Sequence, residues 1–479
     1  MSLLHPDRLF PPEPRTRAIA RALYAQVRDL PIFSPHGHCD PAWFAENAAF
    51  GDAASLLILP DHYVLRMLVS QGLRYEDLGI GPQPGIAGAA PDAPAPQADM
   101  RAVWRLFAAH YHLFRGTPTR LWIDYTLSEL FGITDPLSAA TADAAFDRIN
   151  ACLADPAFRP RALFDRFGIE MLATTEGALD ALAHHAAIRA SGWGGNVVTT
   201  YRPDAVCDPD HPGFAANLDQ LAAITGRDVA SFDGYLAAHR ARRAEFRALG
   251  AVATDHGVPD ARTADLDRGA AAALYLRVRS GDATAGERAL FRAQMLTEMA
   301  RMSVDDGMVM QIHPGSQRNH NARVLARYGS DRGFDIPRPV NFVDGLAPLL
   351  NAVGDAPGLR IIVFTLDEST YGRELAPLAG AYPALLLGPP WWFFDSPDGI
   401  RRFREATTET AGFHNTVGFN DDTRAFPSLP ARHDMARRVD CAFLAERVAD
   451  HRLREDEAHE LAHLLTSDLP RRTYRLADT

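Results

Sequence analysis

The sequence predicts an α/β fold, a distorted (β/α)8 barrel of the TIM type with large helical insertions, on three observations. Short, nearly continuous apolar runs recur along the chain, and long helical patterns separate them. The length of 479 residues, with 47% hydrophobic side chains, supplies core for one elaborated domain. The runs are IFSPH (32–36), EMLATTE (170–176), NVVTTYR (196–202), MVMQIH (308–313), LRIIVFTLDE (359–368), ALLLGPPWW (384–392) and TVGFNDD (416–422). Mostly apolar throughout, they read as strands covered on both sides, joined by right-handed helical crossovers. A closed barrel needs eight strands. The unseen one is expected in the largely helical stretch between the first two runs.

Residues 1–30 read as an N-terminal helical segment and 31–479 as the barrel. Within it, about 41–165 is too long for a barrel connection and is expected to cap the mouth as a helical lid. A second helical insertion, rich in Ala and Arg, is expected over about 205–300. Residues 81–98, GPQPGIAGAAPDAPAPQA, read as a Pro/Gly/Ala-rich inserted loop.

Composition narrows the chemistry. A net charge of -11 gives no nucleic-acid footprint. The start, MSLLHPDRLFPPEPRTR, lacks a basic stretch followed by an apolar run, and no segment approaches the roughly 20 apolar residues of a membrane span, so a cytoplasmic location is expected. Cys39, Cys152, Cys207 and Cys441 are far apart and form no CxxC pair, which argues against a disulfide framework and a thiolate zinc site. All 49 basic residues are Arg. Schiff-base, pyridoxal, P-loop and kinase-type chemistry all need a lysine and are excluded. Arg remains for holding carboxylates through its planar fork, so an acidic substrate stays possible.

His36 and His38 lie two apart at the end of a predicted strand, so their side chains share a face and can converge on one ion. Imidazoles suit zinc and similar divalent metals, and a carboxylate third ligand with an open position makes such a site catalytic. His110 and His112 have the same spacing but fall in a helical pattern, where rings two apart are expected to diverge. His459 to His463 spell a literal HExxH, yet no His or Glu follows to serve as third ligand, and Thr466 stands where the metzincin Gly belongs; an exposed terminal helix is the better reading. Asp421 and Asp422 close the last predicted strand and Arg424 follows, placing carboxylates where barrels carry catalytic groups. Capping of the following helix is the alternative for one of the two. Glu176, Arg202, His313 and the Trp391-Trp392 pair also sit at strand ends. The tryptophans suit either a sugar-facing wall or the core.

Taken in order, PHGHCDP, DHYVLRML, ATTEGALDAL, TTYRPD, MVMQIHPGSQRNHN, PPWWFFDSPDG, NDDTRAF and RHDMARR resemble the uronate isomerase family, the glucuronate and galacturonate isomerase branch of the amidohydrolase superfamily, over nearly the whole chain. The resemblance implies one divalent metal, commonly zinc, on His36, His38 and Asp422. It implies interconversion of D-glucuronate with D-fructuronate and of D-galacturonate with D-tagaturonate, with Asp422 as base and Tyr63 and His62 handling hydroxyl protons. Arg202, Arg424, Trp391, Trp392 and His313 would then bind a hexuronic acid, and family habit implies a homo-oligomer. Two-metal members of the superfamily use a carbamylated lysine, which this chain cannot supply. One departure is Asp421, where the family commonly has Thr; an adjacent carboxylate is expected to raise the Asp422 pKa. The competing readings are a metal-dependent hydrolase or decarboxylase on the same barrel and a non-catalytic sugar-acid binding protein.

Overall fold

The computed structural model describes residues 3–82 and 99–476. Among them seven strands form one parallel sheet: β1 (Ile32–Ser34), β2 (Ile169–Gly177), β3 (Val197–Arg202), β4 (Ala253–Val258), β5 (Val309–Pro314), β8 (Ile361–Val363) and β9 (Leu385–Leu387), paired in that order. A short antiparallel pair, β6 (Ser316–Gln317) and β7 (Ile336–Pro337), follows the end of β5. The curl is closed by residues 416–423, which do not form a regular strand. Thr416 bridges Leu387 at one end. At the other, the Asp422 N–H donates to the His36 carbonyl (3.2 Å) and the His38 N–H to the Thr423 carbonyl (2.9 Å). The sheet is thereby a distorted barrel with this segment as its eighth stave.

Six of the seven apolar runs form strands and the seventh is the closing stave. The missing strand does not lie between β1 and β2, where it was sought. It is β4, ATDHGV, inside the stretch expected to be a helical insertion. Its Thr254, Asp255 and His256 are fully buried but polar, so the apolar signature of a covered strand is absent. They are tolerated because they are partnered, Asp255 by Arg202 and His313 and Thr254 by His256. The 205–300 stretch is accordingly two crossovers. Helices Phe214–Thr225 and Phe232–Ala248 connect β3 to β4, and Arg268–Ser280 and Ala285–Asp306 connect β4 to β5. The last starts in a capping box, Thr284 with Glu287, and stops at Gly307 with φ 79°. The crossovers bury Phe214, Tyr235, Tyr275 and Phe291 in one core with Met310 and Ile361 of the sheet.

Described residues of 41–165 are helices and turns with no strand. Their apolar residues, including Phe44, Leu65, Trp104, Phe107 and Ile149, form one core with Ile32, Leu172 and Val197 of the sheet. One helix, His62–Ser70, begins at the barrel mouth with Asp61 accepting from the Tyr63 N–H. The Pro/Gly/Ala-rich loop lies, apart from residues 81 and 82, outside the described residues. The N-terminal helix Pro14–Val27 buries Ile19, Leu23 and Val27 against Cys441 and Leu444 of the long helix Leu429–Ala449. All four cysteines are free. No helix among the described residues is long and apolar enough to cross a membrane.

Candidate active site

A cavity of about 440 Å³ opens at the C-terminal ends of the strands, where barrel connections are free to carry chemistry. His36, His38, His62, Tyr63, Arg202, His313, Trp391, Trp392, Asp422 and Arg424 all line it. Segments hundreds of residues apart meet here because each follows a neighbouring stave of the same barrel.

At its floor, the Nε2 atoms of His36 and His38 lie 3.6 and 3.2 Å from Asp422 Oδ1. Ligand atoms of the three residues all fall within 4.8 Å of one another. The Asp422 Oδ1 is buried without a well-aligned hydrogen-bond donor, although the His38 Nε2 3.2 Å away is close enough to share a proton with it. Burial is the largest influence on His38 and holds its ring below the ordinary value against the pull of Asp422, which favours a neutral ring with a free lone pair. Two imidazoles and one carboxylate converging on one point form a donor set for a divalent cation, and the residues fit that group.

Asp422 has φ 44°, in the left-handed region that few residues with a Cβ adopt. The conformation is fixed from two sides, by its own N–H on the His36 carbonyl and by the Trp391 Nε1–H donating to Oδ2 at 3.0 Å. Trp391 is thus buried wall and orienting donor together, with Trp392 tilted against it at 44° and 4.8 Å between centroids. Asp421 does not raise the pKa of its neighbour as expected. It turns away to His433 Nε2 (3.1 Å) and the Thr423 N–H. Burial does push the Asp422 carboxyl up, but His38, His36 and His313 outweigh it and hold the group well below the carboxylate range. Asp421 does not cap a helix either, since the next, Leu429–Ala449, begins beyond the turn Phe426–Ser428.

His313 stacks on His36 (4.6 Å) and Phe364 (4.0 Å) and gives Nδ1 to Asp255 at 2.6 Å, leaving Nε2 buried without a partner. His36, Asp255 and His313 make a second, overlapping donor set. Arg202 is held by Asp204 (2.7 Å) and Asp255 (3.3 Å), so its charge is already matched. Arg424 is freer, 3.7 Å from Asp331 and partly exposed. Burial pushes the Tyr63 phenol well above its usual pKa, keeping it a donor. Burial, then the charge of Arg424, lowers His62 to about 4, keeping it neutral at pH 7.

Three other features of the sequence fall elsewhere. Glu176 is buried against Thr199 and His185, away from the cavity. The rings of His110 and His112 do not diverge; they lie side by side at 6.2 Å and 27°, because the helix ends at Ala109 and a 3₁₀ turn follows. Each gives Nδ1 to a local carbonyl, Leu106 and Ala109. In HExxH, His459 meets Gln26 of the N-terminal helix and His463 meets Asp468, and neither belongs to a donor set among the described residues. Reading the sequence missed Asp255, Asp395 and Arg432, which line the cavity. The polar pattern of β4 hid the first; the second and third stand within PPWWFFDSPDG and RHDMARR, motifs whose other members drew the eye.

Comparison with known proteins agrees with the site. A family model for glucuronate isomerase matches residues 15–469. A uronate isomerase from Rhizorhabdus wittichii is 64% identical over 473 residues, covering 99% of this chain and 98% of the relative. One from Mesorhizobium japonicum is 62% identical over 476 residues, covering 99% and 100%. The crystal structure of glucuronate isomerase from Caulobacter crescentus superposes with TM-score 0.96 at 57% identity, covering 100% of this chain and 98% of that one. These matches run end to end through both barrel and helical segments, and the chain belongs to the glucuronate isomerase family.

Proposed function

We propose that this chain is a uronate isomerase, an aldose–ketose isomerase that interconverts D-glucuronate with D-fructuronate and D-galacturonate with D-tagaturonate. The observation that carries the reading is the His36, His38 and Asp422 donor set at the floor of a cavity that also offers an arginine and an indole wall, in a chain whose full-length relatives are uronate isomerases. The hydrolase or decarboxylase alternative is not favoured, since those relatives match over the whole length.

The reaction moves two protons: one from C2 to C1, the other from the C2 hydroxyl to the C1 oxygen. A divalent metal on His36, His38 and Asp422 supplies an electrophile for the adjacent oxygens. Zinc is the metal proposed. His36, His38 and Asp422 would hold it, two imidazoles and a carboxylate being donors that zinc takes. Asp422, oriented by the Trp391 N–H, is the base proposed to take the C2 proton and return it at C1. Tyr63 and His62, at the start of one helix, serve the hydroxyl protons. Arg424 takes the substrate carboxylate in a planar fork, Arg202 and His313 orient the chain of hydroxyls, and Trp391 with Trp392 closes the apolar side. Residues 41–165 act as the lid over this mouth, and the enzyme is read as a cytoplasmic homo-oligomer.

The test is proton NMR of the purified protein with glucuronate in deuterated water, repeated with galacturonate. New ketouronate signals are expected, with solvent exchange at the carbon that receives the proton. Unchanged sugar spectra over many enzyme equivalents would overturn the reading.

A further inference from the structure

Five arginines line the cavity, and four of them stand beside a carboxylate. Arg202 is held by Asp204 and Asp255, Arg432 by Asp395 at 2.6 Å and Arg318 by Asp335 at 3.0 Å, while Asp331 lies 3.7 Å from Arg424. The fifth is Arg66. Among the described residues no Asp or Glu comes within ion-pair distance of its guanidinium and no hydrogen bond engages it. The residue is exposed, so its nitrogens are open to a ligand entering the mouth.

Lack of a partner does not leave this side chain without a place. Its guanidinium carbon lies over the Phe393 ring, 4.2 Å from the centre, and Phe393 meets Tyr63 edge-on at 6.3 Å and 83°. Such a contact positions the group without using its N–H donors as a carboxylate would. Arg318 sits in the same way over the neighbouring Trp392 at 4.8 Å, yet donates to Asp335. Arg66 belongs to the helix His62–Ser70, four residues after His62 and so on the same face, about 6 Å further along the axis. Residues 330–335 connect it to Arg424. Gly333 packs so closely on the helix that a Cβ there would come within 2.8 Å of the His62 carbonyl and 3.1 Å of the Arg66 Cβ, and Asp331, two residues earlier, faces Arg424. The two arginines thus flank one stretch of the cavity rim. With the reacting C1 and C2 at the floor, the carboxylate at the opposite end of a hexuronate is directed there.

We propose that Arg66 is a substrate-binding residue that grips the uronate carboxylate together with Arg424, and so selects the acid over an uncharged sugar of the same length. The inference rests on the uronate isomerase reading. To take an anion Arg424 exchanges Asp331 for it, whereas Arg66 exchanges only water, and its fork is open for a two-bond grip.

The experiment compares glucuronate with glucuronamide, whose C6 carboxylate is replaced by an uncharged amide, in the wild type, R66Q and R66K, following kcat, KM and circular dichroism. The R66Q enzyme is expected to lose roughly 10- to 100-fold in kcat/KM with glucuronate, chiefly through KM, as a contact made equally before and during reaction does. Its value with glucuronamide is expected to change less than twofold. R66K keeps the charge without the fork, is expected to lose less, and makes the same comparison should R66Q not fold. Where the amide turns over too slowly to follow, its inhibition constant against glucuronate replaces kcat/KM in the comparison. A glucuronate kcat/KM in R66Q within twofold of wild type would overturn the inference, as would equal losses on acid and amide, the sign of a disturbed helix, or a wild type that does not distinguish the two. Lack of any glucuronate turnover by the wild type would overturn the functional reading and this inference with it, and is distinguished by the first measurement.

Discussion

His36 with His38 and His110 with His112 have identical spacing and opposite fates. Separation of the rings does not tell them apart: the first pair lies 5.4 Å apart at 79°, the second 6.2 Å apart at 27°. What differs is the third partner. His110 and His112 spend their Nδ1 atoms on carbonyls three and four residues away, as side chains at the end of a surface helix readily do. His36 and His38 face Asp422, which the closing stave of the barrel brings from the far end of the chain. A third pairing, His185 with Glu176 at 3.7 Å, shows that a buried His and a carboxylate do not suffice either. There the hydroxyls of Thr174 and Thr199 satisfy the two groups and no further ligand converges. At His36 and His38 three ligand atoms converge instead, and the Trp391 N–H occupies only the other oxygen of Asp422.

The sharpest break of that comparison is His36→Ala. It is expected to abolish bound metal, measured by elemental analysis, and to lower isomerisation by roughly 10³-fold or more, since an electrophile contributes several kcal/mol to the transition state. Asp422→Asn is expected to act likewise, and retained metal and activity in either would refute the assignment. A smaller effect is expected at Trp391→Phe, which keeps the wall but removes the donor to Asp422 Oδ2. Groups that orient a ligand in this way are worth about 10- to 100-fold, and a kcat within twofold of wild type would remove Trp391 from that role.

Glu176→Gln contrasts a structural His–carboxyl pair with the catalytic one. Burial is the main cause that raises the Glu176 carboxyl to about 7 from its ordinary 4.5. A carboxyl raised on folding contributes stability that is fully present below pH 4.5 and lost as pH rises through 7. The glutamine does not titrate, so E176Q is expected to gain on wild type between pH 5 and pH 8 by about 1–3 kcal/mol, read from denaturation midpoints. His185, lowered to about 4 chiefly by burial, loses stability as pH falls below its ordinary 6.5, and does so in both proteins, leaving the difference intact. A gap that is flat with pH would contradict the assignment. The smallest change belongs to the double variant His110→Ala, His112→Ala, for which metal content and activity within twofold of wild type are expected; loss of metal would collapse the comparison.

Much of this molecule is legible in its order of residues. Strands covered on both faces announce themselves as apolar runs, which is why β2, β3, β5, β8 and β9 stand close to where they were read. The lack of lysine excludes whole chemistries without a coordinate. β4 escapes because its inward residues are polar, and polar residues become strand-forming only when partners from β3 and β5 bury with them. The stave 416–423 was visible as a run, yet its irregular form and its left-handed Asp422 follow from closing the barrel on β1.

Local pattern therefore determined the α/β class, most strands, the His-x-His and the strand-end part of the cavity lining, to which the family resemblance added His62 and Tyr63, because periodicity and residue type are properties of short segments. Tertiary structure alone decided which histidines meet a carboxylate, that Asp421 turns to His433 while Asp422 turns to His36 and His38, and that Arg202 is neutralised where Arg424 is freer. It also decided that Asp395 and Arg432 pair in the cavity wall. These outcomes depend on burial and on neighbours distant in sequence, and the strength of a charge or hydrogen bond is set by that surrounding rather than by the residue that carries it.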